Sequence, residues 1–148
     1  MKWILIAIIV LLGAGFAYIY WQNGQIPELG HANGQFKPLS DNPNGVSTQA
    51  SDPDKRVATW PFKTDQAETM QAIKNAVASH GGAEQVSETS DYLRVVFVTP
   101  KMRFRDDVEF YLDAENKEVH FRSASRAGKS DMGLNRQRHE QLTALYHR

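Results

Sequence analysis

The C-terminal half of the chain holds the residue types of a Ser-His-Asp hydrolase, namely Asp106, Asp107, His120, Ser123, Ser125 and His139. Neither serine sits in a Gly-x-Ser-x-Gly elbow, and on a strand His120 has the parity opposite to Ser123 and Ser125, so a small hydrolase using Asp106 or Asp107, His120 and Ser123 or Ser125 is the second reading. His120, His139 and His147 have no i, i+4 pairing with one another, and Gly81-Gly82 and Gly128 do not form a phosphate loop, so neither a metal nor a cofactor is expected. The denser signal is charge. Between residues 120 and 139, Arg122, Arg126, Lys129, Arg136 and Arg138 face a single acid, Asp131. Arg122, Arg126, Lys129 and Arg136 are therefore the candidate ligands of an anionic group, placed where a last helix would begin and its free N–H groups favour negative charge.

A second group of polar residues reads as structural. Asp106 shares strand parity with Phe104 and Val108, which turns a carboxylate toward the core, where it needs a partner. On the last helix Arg138 falls within the arc of Leu134, Leu142, Leu145 and Tyr146, so an arginine also points inward and needs an anion. Asp106 is the first candidate for that anion and Asp107 the second. Ser123 and Ser125 share the parity of Val119 and Phe121 and complete a polar cluster of Asp106, Asp107, Ser123, Ser125 and Arg138.

The run Asp106-Asp107-Val108-Glu109-Phe110, with the seventeen residues from Arg122 to Arg138, resembles the bacterial family catalogued as domain of unknown function 1499. Pro43-Asn44-Gly45-Val46-Ser47 is similar to an upstream element of that family, and the resemblance covers about Lys37 to Tyr146. It implies no activity. It does imply cysteines where this chain has Gly45 and Leu39, and their joint loss implies that they act as a pair, as a disulfide would. This chain must hold its N-terminal segment otherwise or leave it looser.

The elements that must position these residues follow from periodicity. Lys55 to Phe62 reads as a strand ended by Pro61; Asp65 starts a helix with Glu68 as its capping partner, and Gly81-Gly82 stops it. Ala83 to Thr89 reads as a weak strand. Asp91 to Thr99 is apolar at both parities, as in a central strand covered on both sides. Residues 101–112 alternate, which predicts one face toward a core and the other, with Arg105, Asp107 and Glu109, toward water. A turn at Asp113–Asn116 makes a hairpin with Glu118 to Ser125, in which Arg122 falls opposite Glu109 or Asp107. Ser130 or Asp131 can cap a last helix running to about Tyr146. The order β-α-β-β-β-β-α predicts an α+β fold, with an antiparallel sheet of about five strands and two helices.

Trp3 to Trp21 carry no charge, and nineteen helical residues reach roughly 28 Å, enough to cross a bilayer's hydrocarbon core. Gly15-Phe16-Ala17 would also suit cleavage of a secretory signal, but Tyr18, Tyr20 and Trp21 beyond it, with Trp3 before it, look like the aromatic belts of a retained anchor. Lys2 precedes the span and no Lys or Arg follows until Lys37, which puts the N-terminus in the cytoplasm and the remainder in the periplasm of a bacterial inner membrane, single pass. Residues 1–21 thus read as anchor. Residues 22–54, with four Gly and four Pro, read as a tether whose part from 37 to 54 lies against the domain, and residues 55–148 read as the domain. There are 17 basic and 17 acidic residues and no cysteine, so neither nucleic-acid binding nor thiol chemistry is expected. The expected protein is a membrane-anchored binding or assembly module. Its partners would be the membrane through residues 3–21, an anionic lipid headgroup or envelope polymer, and a membrane protein packed on the Gly13-Ala14-Gly15 patch.

Overall fold

The sheet is easiest to follow from its apolar centre outward, in a computed structural model that describes residues 1–148. β6 (Tyr92–Val98) is buried along almost its whole length and pairs with β5 (Ala83–Glu88) on one side and β7 (Arg105–Asp113) on the other. β7 turns through Ala114–Lys117 into β8 (Glu118–Ser125), with Glu109 opposite Arg122 and Phe110 opposite Phe121. The outer edge of β8 takes two short strands end to end, β3 (Gly45–Ser47) and β4 (Trp60–Pro61). Every pairing between strands is antiparallel, apart from one isolated parallel bridge from Ser47 to Arg56, and the order is β3-β8-β7-β6-β5 with β4 beside β8. From β4 onward the elements run β-α-β-β-β-β-α, and the class is α+β as the periodicity predicts.

Two helices, α2 (Gln66–His80) and α3 (Leu134–Tyr146), cover one face of this sheet. α2 begins where expected: the Asp65 carboxylate accepts the Glu68 N–H at 2.8 Å, and Gly81, at φ 77°, ends the helix with its N–H on Val77. Its inner residues Met70, Ile73 and Val77 join Trp60, Leu93, Phe110, Phe121 and Leu142 in one core. Trp60 anchors the seam between sheet and helix. Its ring stacks on Tyr146 at 4.9 Å while its indole N–H donates to Thr143 Oγ1 at 2.8 Å.

Several expectations need correcting. Of the strand expected over Lys55 to Phe62, only Trp60–Pro61 forms a strand, while Arg56 makes a lone bridge to Ser47. Pro53–Lys55 is instead a 3-10 turn, because Pro53 presets φ and the Asp52 carboxylate caps the Asp54 N–H at 2.9 Å. β7 starts at Arg105 and not at residue 101, since Thr99 Oγ1 accepts the Phe104 N–H at 2.9 Å and folds 100–104 into a tight loop. The residue before α3 is Gly133, at φ 82°, but Asp131 still does the capping, accepting the N–H groups of Gly133 (3.0 Å) and Asn135 (2.8 Å).

The largest correction concerns the face expected to meet water. Arg94, Asp107, Glu109 and Arg122 on that face are each 7% exposed or less. The chain from residue 22 to residue 44 lies over it. α1 (Lys2–Gly24) ends against the domain through Asn23, and beyond it β1 (His31–Ala32) and β2 (Gln35–Phe36) form a hairpin on the sheet. Its turn is Asn33-Gly34, with φ 52° and 78°, the two positive values that a two-residue hairpin turn of this kind requires. The His31 ring packs on Tyr111 at 4.3 Å, and Gln49 bridges the Phe36 N–H and the Gly34 carbonyl at 2.8 and 2.7 Å. Val46 on β3 lies in the main core, so the folded unit takes in chain well before Lys55. α1 itself is apolar on every side, with mean hydropathy 2.3 over an 18-residue window, and is long enough to cross a membrane.

The core makes a pH prediction. Burial pushes the His139 imidazole pKa down; its Nε2–H donates to the Ala58 carbonyl at 3.0 Å and its ring packs on Trp60 and Phe121. The fold favours the neutral ring, so the unfolded chain binds a proton first as pH falls through about 6.5. Stability is full above that value and declines as pH drops toward the lowered native pKa. Urea unfolding of the whole chain in detergent should show this decline, and His139→Gln should flatten it; an unchanged slope in the variant would exclude His139 as its source.

Candidate functional site

Strand alternation sends Asp106 and Asp107 to opposite faces of β7, and each is 1% exposed. Each therefore organises a separate cluster.

On the helix side, Arg138 of α3 donates from Nη2 to Asp106 at 2.6 Å and from Nη1 to Asn135 Oδ1 at 2.6 Å and Ser123 Oγ at 3.3 Å. Its guanidinium lies 4.8 Å above the Phe97 ring, and its Nε–H is buried without a partner. The hub is Asn135, which is fully buried. Its carbonyl oxygen also accepts the Ser123 hydroxyl, and its amide donates toward Asp131 (2.7 Å), Ser125 Oγ (3.1 Å) and the Asn44 carbonyl (3.1 Å). One side chain thus ties α3 to β8 and to the residue before β3. Sequence reasoning passed over Asn135, although Asp131, Asn135 and Arg138 share one helix face by their i, i+4 and i+3 spacing. With the Ser123 hydroxyl committed to Asn135, this cluster holds a helix on a sheet.

On the other face Asp107 is held from two sides. Arg94 Nη2 reaches it at 2.6 Å, and Arg126 Nε and Nη2 at 2.7 and 3.0 Å. Glu109, fully buried, accepts Arg122 Nη1 at 2.9 Å, the Tyr92 hydroxyl at 2.8 Å and the Gly30 N–H at 2.9 Å. Burial, and then the neighbouring Glu109 charge, push the Tyr92 pKa well above the usual phenol range, so its proton stays in that bond. Arg122 Nε donates to the Lys37 carbonyl at 2.9 Å and so clips the N-terminal segment down. Beside these groups a cavity of about 340 Å³ opens between segment and sheet, with Lys37, Arg122, Arg126 and Asp107 among its lining residues, as well as Gln22 at the end of α1. Three cations and one carboxylate line it, with Arg122 held from behind by Glu109.

Arg122 and Arg126 thus share a pocket, but the other two candidate anion ligands do not join them. Arg136 donates to the Asp54 and Arg56 carbonyls at 2.7 and 3.2 Å, and Lys129 is exposed on the loop before α3. The expected site at the start of α3 is filled by Asp131, whose carboxylate already takes the N–H groups an anion would use. The structure also keeps His120 away from Ser123 and Ser125. His120 Nδ1 lies 3.1 Å from Thr48 Oγ1 and its Nε2 4.0 Å from Asp113. Backbone N–H bonds, that of Asn116 foremost, lower the Asp113 pKa. That Thr48 oxygen accepts the Phe121 N–H at 3.1 Å, so it extends the pairing of β3 with β8 and is no free nucleophile. No three His, Asp or Glu side chains are grouped to hold a metal ion.

Leu39 and Gly45, the positions where the resemblance implies cysteines, touch. A Cβ on Gly45 would lie 2.9 Å from Leu39 Cδ2 and 3.0 Å from Ala124 Cβ. A leucine methyl rests there on a bare backbone.

A family model described as "Protein of unknown function (DUF1499)" matches residues 35–145. No curated protein and no solved structure matches the chain. The match begins in β2, so the segment over the polar face falls within the family unit from there onward.

Two substitutions test this geometry by urea unfolding. Arg138→Ala should destabilise by about 3–5 kcal/mol, because Asp106 would be left buried without its cation. Gly45→Ala should cost about 1–3 kcal/mol through overpacking, and adding Leu39→Ala should return part of it. Strict additivity of that pair would argue against the contact.

Proposed function

We propose that this chain, which belongs to the DUF1499 family of proteins of unknown function, is a membrane-anchored binding module that takes an anionic group between Lys37, Arg122 and Arg126. The observation that carries this reading is the cavity of about 340 Å³ lined by those three cations with Asp107 as the one acid in its wall, Glu109 pairing with Arg122 from behind it. Arg122 and Arg126 are fixed by their carboxylate partners, so little side-chain freedom is lost on binding. Lys37 is exposed and free to close over a ligand.

Gln22 lines the same cavity, so the site lies next to the end of α1 and close to the bilayer in which that helix would sit. With α1 as a retained anchor and its N-terminus cytoplasmic, the domain is periplasmic and the anion is a lipid headgroup or an acidic envelope polymer. Both present the same chemistry, a phosphate or carboxylate on a carrier at the membrane surface. A neighbouring membrane protein would meet this one through the Gly13-Ala14-Gly15 patch of α1.

The test uses the full chain in zwitterionic nanodiscs, titrated with inorganic phosphate, glycerol phosphate and an acidic glycan fragment at low and high salt. Affinity should fall with salt, and Lys37→Glu should weaken it by about tenfold or more, the loss of one charge-assisted hydrogen bond. No binding by any of the three, or an unchanged affinity in the variant, would overturn the reading. For topology, alkaline phosphatase fused after Arg148 should be active and a cytoplasmic reporter at the same position dark.

A further inference from the structure

We infer that the loop between β6 and β7, Pro100–Phe104, is a second membrane contact whose partner is the phospholipid headgroup layer. The inference rests on α1 being a retained span and is independent of the anion pocket.

Depth is the first argument. The Tyr20 hydroxyl donates to the Met102 carbonyl at 3.2 Å, and the Tyr20 and Phe104 rings are 6.0 Å apart. Tyr20 lies in the last turn of the uncharged stretch Trp3–Trp21, the level at which aromatic residues meet the headgroups. Met102 must lie at that level too when α1 spans.

Attachment is the second. Asn23, 2% exposed, donates from Nδ2 to the Arg103 carbonyl at 2.9 Å and accepts the Arg105 N–H at 2.7 Å. Both halves of one amide are committed to the loop, so the loop travels with the helix end and does not swing on a tether. Its own shape is held by the Arg103 N–H on the Thr99 carbonyl and by Thr99 Oγ1 on the Phe104 N–H.

Composition is the third. Met102 is 41% exposed, between exposed Lys101 and Arg103, and residues 100–104 contain no acid. The nearest acids along the chain, Asp106 and Asp107, are buried on arginines. An apolar tip flanked by two cations suits a layer with acyl chains below and phosphates above.

The chain has no cysteine, so single-cysteine variants of the full protein report depth directly. Met102→Cys, Leu11→Cys within the span and Ala114→Cys at the distal hairpin turn are each labelled with bimane. They are then reconstituted in phosphatidylglycerol-containing vesicles with acyl-chain-brominated lipid. Labels at 11 and 102 should be quenched by the brominated lipid, and the label at 102 should be shielded severalfold from aqueous acrylamide relative to that at 114. Lys101→Gln with Arg103→Gln should reduce the shielding at 102, by about fivefold for each charge in the docked population, and leave the signal at 11 unchanged. Quenching at 11 without quenching at 102 would overturn the loop contact while α1 still spans. Absence of both would overturn the span and the loop contact together, and unchanged shielding in the double variant would assign the depth to the Asn23 clamp and overturn the headgroup contact.

Discussion

Two adjacent carboxylates on one strand, both removed from water, are the constraint on which the rest of the molecule depends. A strand cannot send neighbours to the same side, so Asp106 and Asp107 demand a cation and a cover on each face of β7. On one face the cation is Arg138 and the cover is α3. On the other the cations are Arg94 and Arg126, and the cover is the chain between α1 and β3. The sheet is thus a middle layer, closed on one side by helices over apolar side chains and on the other by a loop segment over ion pairs.

These two covers are held by different physics. α2 and α3 bury Ile73, Leu142 and Tyr146 against Leu93, Phe110 and Phe121, an apolar interface that needs no angular precision. The N-terminal segment has few such side chains and attaches through groups that must be met at hydrogen-bond distance. The Gly30 N–H meets Glu109, the Lys37 carbonyl meets Arg122, and Gln49 holds Gly34 of the β1–β2 turn and Phe36 of β2. Buried ion pairs add little net stability, but they penalise a shift in register, since a displaced partner leaves a charge unpaired. The polar face therefore sets where the segment lies more than how strongly it is held.

What was legible in the sequence divides along the same line. α2 could be read almost to the residue, because Asp65, the Met70–Ile73–Val77 stripe and Gly81 are local signals. β6 and the β7–β8 hairpin were legible because apolar spacing and a turn sequence sufficed, but they left Arg122 opposite either Glu109 or Asp107, and the structure has Glu109. The inward direction of Arg138 and Asp106 followed from helical and strand periodicity. The covered second face followed only for β6, apolar at both parities; on β7 it did not, because Asp107 and Glu109 look like any solvated alternation until one knows that arginines answer them from neighbouring strands. Asn33-Gly34, the strongest short hairpin signal in the chain, lay inside a stretch whose Gly and Pro content reads as linker, so composition masked it. Asn135 went unread for a related reason: a neutral amide carries no pattern, and only geometry shows five neighbours converging on it.

The seat of Leu39 on Gly45 has a consequence for how the protein is made. A segment pinned by a disulfide closes only after an oxidant has acted, and a reductant opens it. Here closure is the meeting of a methyl group with a glycine backbone, available as soon as β3 pairs with β8. Maturation consumes no oxidising equivalents and waits for no thiol-exchange catalyst, so the segment closes in the same way at any redox potential.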